Sequence, residues 1–247
     1  MRARPIAFVA LAFLAVADAA FAQPAECARE RDEMLDTIRA HVWSSPDFTG
    51  GKMSDGVLAA MRSVPRQRFV PGGACAEGYA DSPVRIGHGQ TVSQPFVVAA
   101  MTELAAVAPA HTVLEIGTGS GYQAAVLSPL VSKVCTIEIV GELATGAALL
   151  LRELGYGNIH VRAGDGYRGW PECGPFDAVI VTAALGHVPP PLIEQLKPGG
   201  RLVMPVGEPG RTQRLTVLEK SATGEISERI VGLVRFVPFT RGRDQVP

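Results

Sequence analysis

Val113-Leu-Glu-Ile-Gly117-Thr-Gly119-Ser-Gly121-Tyr-Gln123 is the stretch on which the reading of this chain turns. Residues 112–116 form a short apolar run, residues 117–121 are rich in glycine, and residues 122–131 read as a helix. Strand, tight turn and helix in that order is the setting in which a glycine loop approaches a nucleotide-like ligand. Glycine is suited to the turn because no Cβ stands between the backbone and the ligand. A dinucleotide loop, G-x-G-x-x-G, would need glycine at 122, where this chain has Tyr122. The spacing is G-x-G-x-G, with Glu115 two residues before the first glycine. A carboxylate there repels a pyrophosphate and favours an ammonium group.

Working outward, the same texture repeats. Residues 134–139, 159–162, 178–182 and 201–205 read as further strands, with helices at 143–154 and 191–196. Pro198-Gly199-Gly200 stops the second of these helices, and 214–219 and 228–237 read as late strands. Upstream, 29–42 has helical spacing of Met34, Leu35, Ile38 and Val42, and 43–56 reads as a loop. A short helix at 57–63 and a turn at Pro71-Gly72-Gly73 follow, and another helix starts at Gln94-Pro95. Repeated β-α units imply an α/β, Rossmann-like fold: a mostly parallel, doubly wound sheet with helices on both faces and an N-terminal helical extension.

Two more acids stand at successive strand ends. Glu138 closes the second strand, where a carboxylate can accept ribose hydroxyl protons. Asp165, in Gly164-Asp165-Gly166, follows the third and can accept from an adenine amino group. Three acids beside a glycine loop fit adenosine with a cationic tail and no phosphates, which describes S-adenosylmethionine. Upstream, the polar segment 79–95 reads as a lid or wall. Within it, Ser93 precedes the Pro95 helix start and on sequence grounds reads first as an N-cap.

The 247 residues are 47% hydrophobic and 19% charged, which suits one globular domain with a sizeable core. A formal net charge of −1 gives no bulk electrostatic case for nucleic acid or an anionic membrane. Arg2 and Arg4, the apolar run 6–16 and Ala20-Phe21-Ala22 have the pattern of a secretory signal peptide, with cleavage expected after Ala22. The organisation expected is a signal peptide at 1–22, a helical and lid region at 23–108, and a cofactor-binding domain at 109–247, the last two forming one compact unit. Export to the periplasm follows, and no membrane association after cleavage. Among Cys27, Cys75, Cys135 and Cys173, the candidate pair is Cys27 with Cys75, and Cys135 reads as a buried thiol in a strand. The five histidines lack metal-ligand spacing, so no metal is expected. Tyr167 and Trp170 are expected near the adenine side, and the tail at Arg241-Gly-Arg243 in solvent.

Across residues 29–240 the chain resembles the protein-L-isoaspartate O-methyltransferase family. The resemblance rests on Val57-Leu-Ala-Ala-Met-Arg-Ser-Val-Pro-Arg66 with Arg68-Phe-Val-Pro71, on Gly89-Gln-Thr-Val-Ser-Gln-Pro95, and on 113–123. It continues in Gly164-Asp-Gly-Tyr-Arg-Gly-Trp-Pro171, in 176–184, in 196–207, and in Arg235-Phe-Val-Pro238. It implies a class I methyltransferase that uses S-adenosylmethionine to methylate the free carboxylate of L-isoaspartyl and D-aspartyl residues in damaged proteins. The methyl ester then collapses to a succinimide. By motif it implies Ser93 as the active-site serine. Thr91, Val92, Glu115, Gly117, Thr118, Gly119, Ser120, Gly121, Glu138, Asp165 and Gly166 are then expected at the cofactor. Thr182, Ala183, Ala184 and Val188 are expected on the wall that receives the isoaspartyl residue. A monomer acting on damaged proteins or peptides is expected. The readings left beside this one are a methyltransferase acting on another carboxylate, a non-catalytic exported binding protein, an NAD-dependent oxidoreductase, and the cytoplasmic location usual for the family.

Overall fold

The strand that opens the glycine loop is covered on both of its faces. The computed structural model describes residues 26–242, so the signal-peptide expectation at 1–22 falls outside it. In chain order the elements are α1 (Ala28–Ser44), α2 (Pro46–Thr49), α3 (Asp55–Ser63), α4 (Cys75–Tyr79), β1 (Val84–Gly87), β2 (Gln90–Val92), α5 (Pro95–Leu104) and β3 (Thr112–Ile116). Then come α6 (Tyr122–Leu127), β4 (Lys133–Glu138), α7 (Gly141–Glu153), β5 (Ile159–Ala163), β6 (Phe176–Val181), α8 (Pro190–Glu194), β7 (Leu196–Val206), β8 (Gln213–Lys220) and β9 (Ile226–Val234).

Seven strands form one sheet in the order β5-β4-β3-β6-β7-β8-β9. The first five are parallel, and β8 and β9 add antiparallel at one edge. Val113, Val134, Ala178 and Val203 face one side, in a cluster with Met101, Leu104 and Leu127. Leu114, Cys135, Val179 and Leu202 face the other, with Phe176, Leu192 and Phe239. Alternate residues on both faces are thus covered, as a parallel sheet requires. A third cluster joins α1, α3 and α5 to α6 and α7 through Leu35, Ile38, Met61, Val98, Tyr122 and Leu151. The order reverses between β3 and β6, so a crevice opens at their C-terminal ends.

Several expectations are corrected here. The segment read as a polar lid contains an antiparallel hairpin, β1 with β2, and its register shifts between Arg85 and Gly87. The loop expected at 43–56 contains α2. Pro198-Gly199-Gly200 lies inside β7, where pairing with β6 shifts register between Phe176 and Ala178. Cys135 is not a free thiol: it pairs with Cys173 across 38 residues of sequence. Cys27 pairs with Cys75, tying the start of α1 to α4, as the sequence suggested.

Ser93 does not cap α5, which has no side-chain cap from its own N-terminus. Asp81 supplies the acceptor from outside, taking Phe96 N–H at 2.9 Å through Oδ1. Its other oxygen accepts from Gln94 Nε2 at 2.7 Å and lies 3.0 Å from His41 Nε2 on α1. Arg66 is fully buried and donates from Nε to Gly78 O at 2.7 Å and from Nη2 to Ser93 O at 2.8 Å. Its guanidinium stacks 4.4 Å from the Tyr122 ring centroid. Asp81 and Arg66 therefore hold the backbone of the 93–96 turn and leave the Ser93 side chain unused as a cap.

Candidate active site

The turn after β3 is built around one close approach. Gly117 has φ +95°, and a Cβ there would collide with Thr182 Oγ1 at the end of β6. That hydroxyl lies 2.7 Å from Gly117 O and 3.0 Å from Ile116 O, joining the ends of the two central strands. Gly117 N–H donates to Ile137 O of β4 at 2.8 Å, which ties the turn to the strand on its other side. Gly121 packs against Leu151 of α7, and Gly166 against Ile116, at positions where a Cβ would crowd the neighbour.

Glu138 is buried and bridges two turns: Oε2 accepts Gly119 N–H at 2.8 Å, and Oε1 accepts Val140 N–H at 3.0 Å. Its carboxylate walls a cavity together with Gln90, Thr91, Gly117, Gly119, Gly166, Thr182, Ala183 and residues 237–240. A second cavity adjoins it, walled by Thr91, Val92, Ser93, Glu115, Gly117, Thr118, Gly119, Ser120, Gln123 and Thr182. Glu115 is wholly buried and accepts from Thr136 Oγ1 at 2.6 Å through Oε2, while its Oε1 has no partner. Thr136 Oγ1 is also 2.6 Å from Thr118 Oγ1. Burial, opposed by the Thr136 hydrogen bond and reinforced by the Glu138 charge, pushes the Glu115 carboxyl up to about 8.

A groove of about 420 Å³ lies beyond, lined by His41, Phe48, Pro83, Thr91, Ser93, Gln94, Phe96, Val97, Thr212, Leu233, Val234, Arg235 and Phe236. Thr91 and Ser93 belong to both the groove and the second cavity, so the end of β2 stands between them.

Most of the residues singled out in the sequence converge here, and a few lie elsewhere. Asp165 accepts Tyr167 N–H at 2.9 Å, and its other oxygen lies 3.2 Å from Arg241 Nε. Arg241 is therefore not a solvated tail residue: its guanidinium sits 3.7 Å from the Tyr167 ring centroid. Ala184 spends its backbone on the 237–239 segment, with N–H to Val237 O and carbonyl to Phe239 N–H, both at 2.8 Å. Its side chain is buried, and Val188 packs against the cluster under β6 and β7. Tyr167 Oη lies 3.0 Å from His187 Nε2. Sequence reasoning gave no role to Gln90, Gln123, His41, Asp81, Arg66 or residues 237–240. The signal for some of them was present, since Arg66 and Val237-Pro238 sit in motifs that marked the resemblance.

Residues 45–244 match the family model described as protein-L-isoaspartate(D-aspartate) O-methyltransferase. The chain belongs to this family. It is 50% identical over 243 residues to the protein-L-isoaspartate O-methyltransferase of Opitutus terrae, covering 98% of this chain and 99% of that one. It is also 50% identical over 211 residues to protein-L-isoaspartate O-methyltransferase 2 of Polaromonas sp. (strain JS666), covering 85% of this chain and all of the other. Among solved structures, a protein-L-isoaspartate O-methyltransferase superposes with a TM-score of 0.73 at 27% identity, covering 84% of this chain and 65% of that longer one. A beta-aspartate methyltransferase from Plasmodium falciparum, in complex with S-adenosyl-L-homocysteine, gives a TM-score of 0.72 at 22% identity, covering 86% of this chain and 99% of that one, and bears on the fold alone. All of α1 precedes the matched region.

The Glu115 shift has a measurable sign. Its carboxyl sits at about 8 in the fold against an ordinary 4.5, so the stability from keeping it neutral is full below 4.5 and lost as pH rises to 8. Glu115→Gln stays neutral throughout. Its Tm relative to wild type is expected to climb between about pH 5 and pH 8 and then level off; a difference independent of pH would show that Glu115 is not held neutral by burial.

Proposed function

We propose that this protein transfers a methyl group from S-adenosylmethionine to the free carboxylate of L-isoaspartyl and D-aspartyl residues in damaged proteins. The observation that carries this reading is the position of Thr91 and Ser93 between the acid-lined cavities and the groove, so that one turn borders both partners.

The cavities fit the donor. Gly119 N–H, which a phosphate would need, is already taken by Glu138, and the unpartnered buried atoms beside it are a carboxyl oxygen, Glu115 Oε1, and a hydroxyl, Ser120 Oγ. Such a wall suits hydroxyls and an ammonium group. Glu138, Gly166, Ala183 and Thr182 would hold the adenosine end, and Asp165 fixes the Gly166–Tyr167 turn beside it by accepting Tyr167 N–H. Thr91, Val92, Glu115, Gly117, Thr118, Gly119 and Ser120 would hold the amino-acid end, and Gly121 shapes the turn. When bound, the donor supplies an electrophilic methyl on a sulfonium.

The acceptor carboxylate is ionised near neutral pH, because its ordinary pKa is about 4, so no general base is required. Ser93 donates a hydrogen bond that orients this carboxylate; its backbone is fixed by Arg66 and its turn by Asp81. Phe48, Phe96 and Phe236 give the groove an apolar lining that keeps water from the reacting oxygen. Orientation and water exclusion are the chain's contributions to rate. Afterwards the following backbone nitrogen attacks the ester carbonyl and expels methanol, closing the succinimide. We further propose export to an oxidising compartment, supported by the leader pattern at 1–22 and by two disulfides that take up all four cysteines.

Radiolabelled S-adenosylmethionine is expected to label an isoaspartyl peptide and leave its aspartyl twin unlabelled; equal labelling of both would overturn the substrate assignment. Ser93→Ala should cut turnover by about 10- to 100-fold, the worth of a hydrogen bond to a charged group, with little change in donor affinity. Unaltered turnover would reject its role. An exported protein purified from its host should begin at Gln23, and an intact Met1 terminus would contradict export.

A further inference from the structure

Gln123 is the second residue of α6 and 6% exposed, on the wall of the cavity that holds Glu115 and Ser120. Its amide is fixed from behind. Nε2 donates to Thr102 Oγ1 at 2.9 Å, and Thr102 Oγ1 donates in turn to Val98 O at 2.8 Å. A hydroxyl has one proton, and Thr102 spends it on the Val98 carbonyl, so it meets Gln123 only as an acceptor. The amide nitrogen must then lie on the Thr102 side, and Oε1 is the end left for the cavity. Gln123 Oε1 is buried without a partner, as are Glu115 Oε1 and Ser120 Oγ. Buried polar atoms are almost always paired, and a hydroxyl accepts as well as donates, so three unpaired oxygens around one cavity call for a ligand group with several protons. An ammonium carries three, and a positive charge that suits the neighbouring carboxyl.

We propose that Gln123 Oε1 receives the α-ammonium of S-adenosylmethionine beside Glu115, and that Thr102 is the positioning residue that decides which end of the amide faces it. The inference rests on the cofactor reading of this cavity and deepens it by naming what recognises the amino-acid end. Thr102 touches no ligand. It acts by denying the amide its flipped state, in which an NH₂ would confront the ammonium.

The test uses the whole protein and two probes in calorimetry: S-adenosylhomocysteine, and the same molecule with its α-amino group replaced by hydrogen. Gln123→Leu should weaken S-adenosylhomocysteine about tenfold and leave the deaminated probe within twofold. Thr102→Val should weaken only S-adenosylhomocysteine, by about threefold, and Thr102→Ser, which keeps the hydroxyl, should restore it. Thermal melting checks that each variant folds, and Gln123→Met, close in shape and without the acceptor, stands in if the leucine variant does not. Equal losses for both probes, or no loss for S-adenosylhomocysteine, would overturn the assignment. If wild type binds neither probe, the cofactor reading fails and takes this inference with it.

Discussion

The hydroxyl of Thr182 against the carbonyl of Gly117, at 2.7 Å, is the contact on which the site depends. It holds together the ends of β3 and β6, the strands between which the sheet order reverses. The approach is open only to a residue with no Cβ at 117. With that junction fixed, the glycine loop turns back over β4, Glu138 takes the Gly119 N–H, and the cavities form on either side of the turn. Fold and site are the same constraint seen at two scales: a doubly wound sheet opens at its switch point, and here the opening is lined by acids.

The electrostatics of that opening select the kind of ligand. A loop that cradles phosphates leaves its backbone N–H groups free and keeps carboxylates away. Here a carboxylate already occupies the loop's N–H, and another lies wholly buried beneath it with an oxygen unpaired. Burial pushes the Glu115 carboxyl up to about 8, and a cation at its unpaired oxygen would favour the charged form. The acceptor side is arranged differently. Ser93 is steadied through its backbone by Arg66 and through its turn by Asp81, which leaves the hydroxyl available to the groove.

The strands β3, β4 and β6 were legible because each is a short run of apolar residues bounded by glycine or an acid, and the three acids follow from their positions at strand ends. The hairpin of β1 and β2 was not, since strands of four and three residues with a shifted register show no clean alternation. Ser93 misled as a cap because the true acceptor, Asp81, is 15 residues from Phe96 in sequence. The pairing of Cys135 with Cys173 and of Arg241 with Asp165 likewise joins residues that only the fold brings together. What the sequence hides is the partner of a side chain. Its type and its place on an element are open to reading.

The most direct test of the account is calorimetric titration of the wild-type protein with S-adenosylmethionine and, separately, with NAD⁺ under the same conditions. The account predicts saturable one-to-one binding of S-adenosylmethionine and no detectable heat from NAD⁺, whose pyrophosphate meets Glu138 where it would need an open N–H. Binding of NAD⁺ as tight as or tighter than S-adenosylmethionine would contradict it.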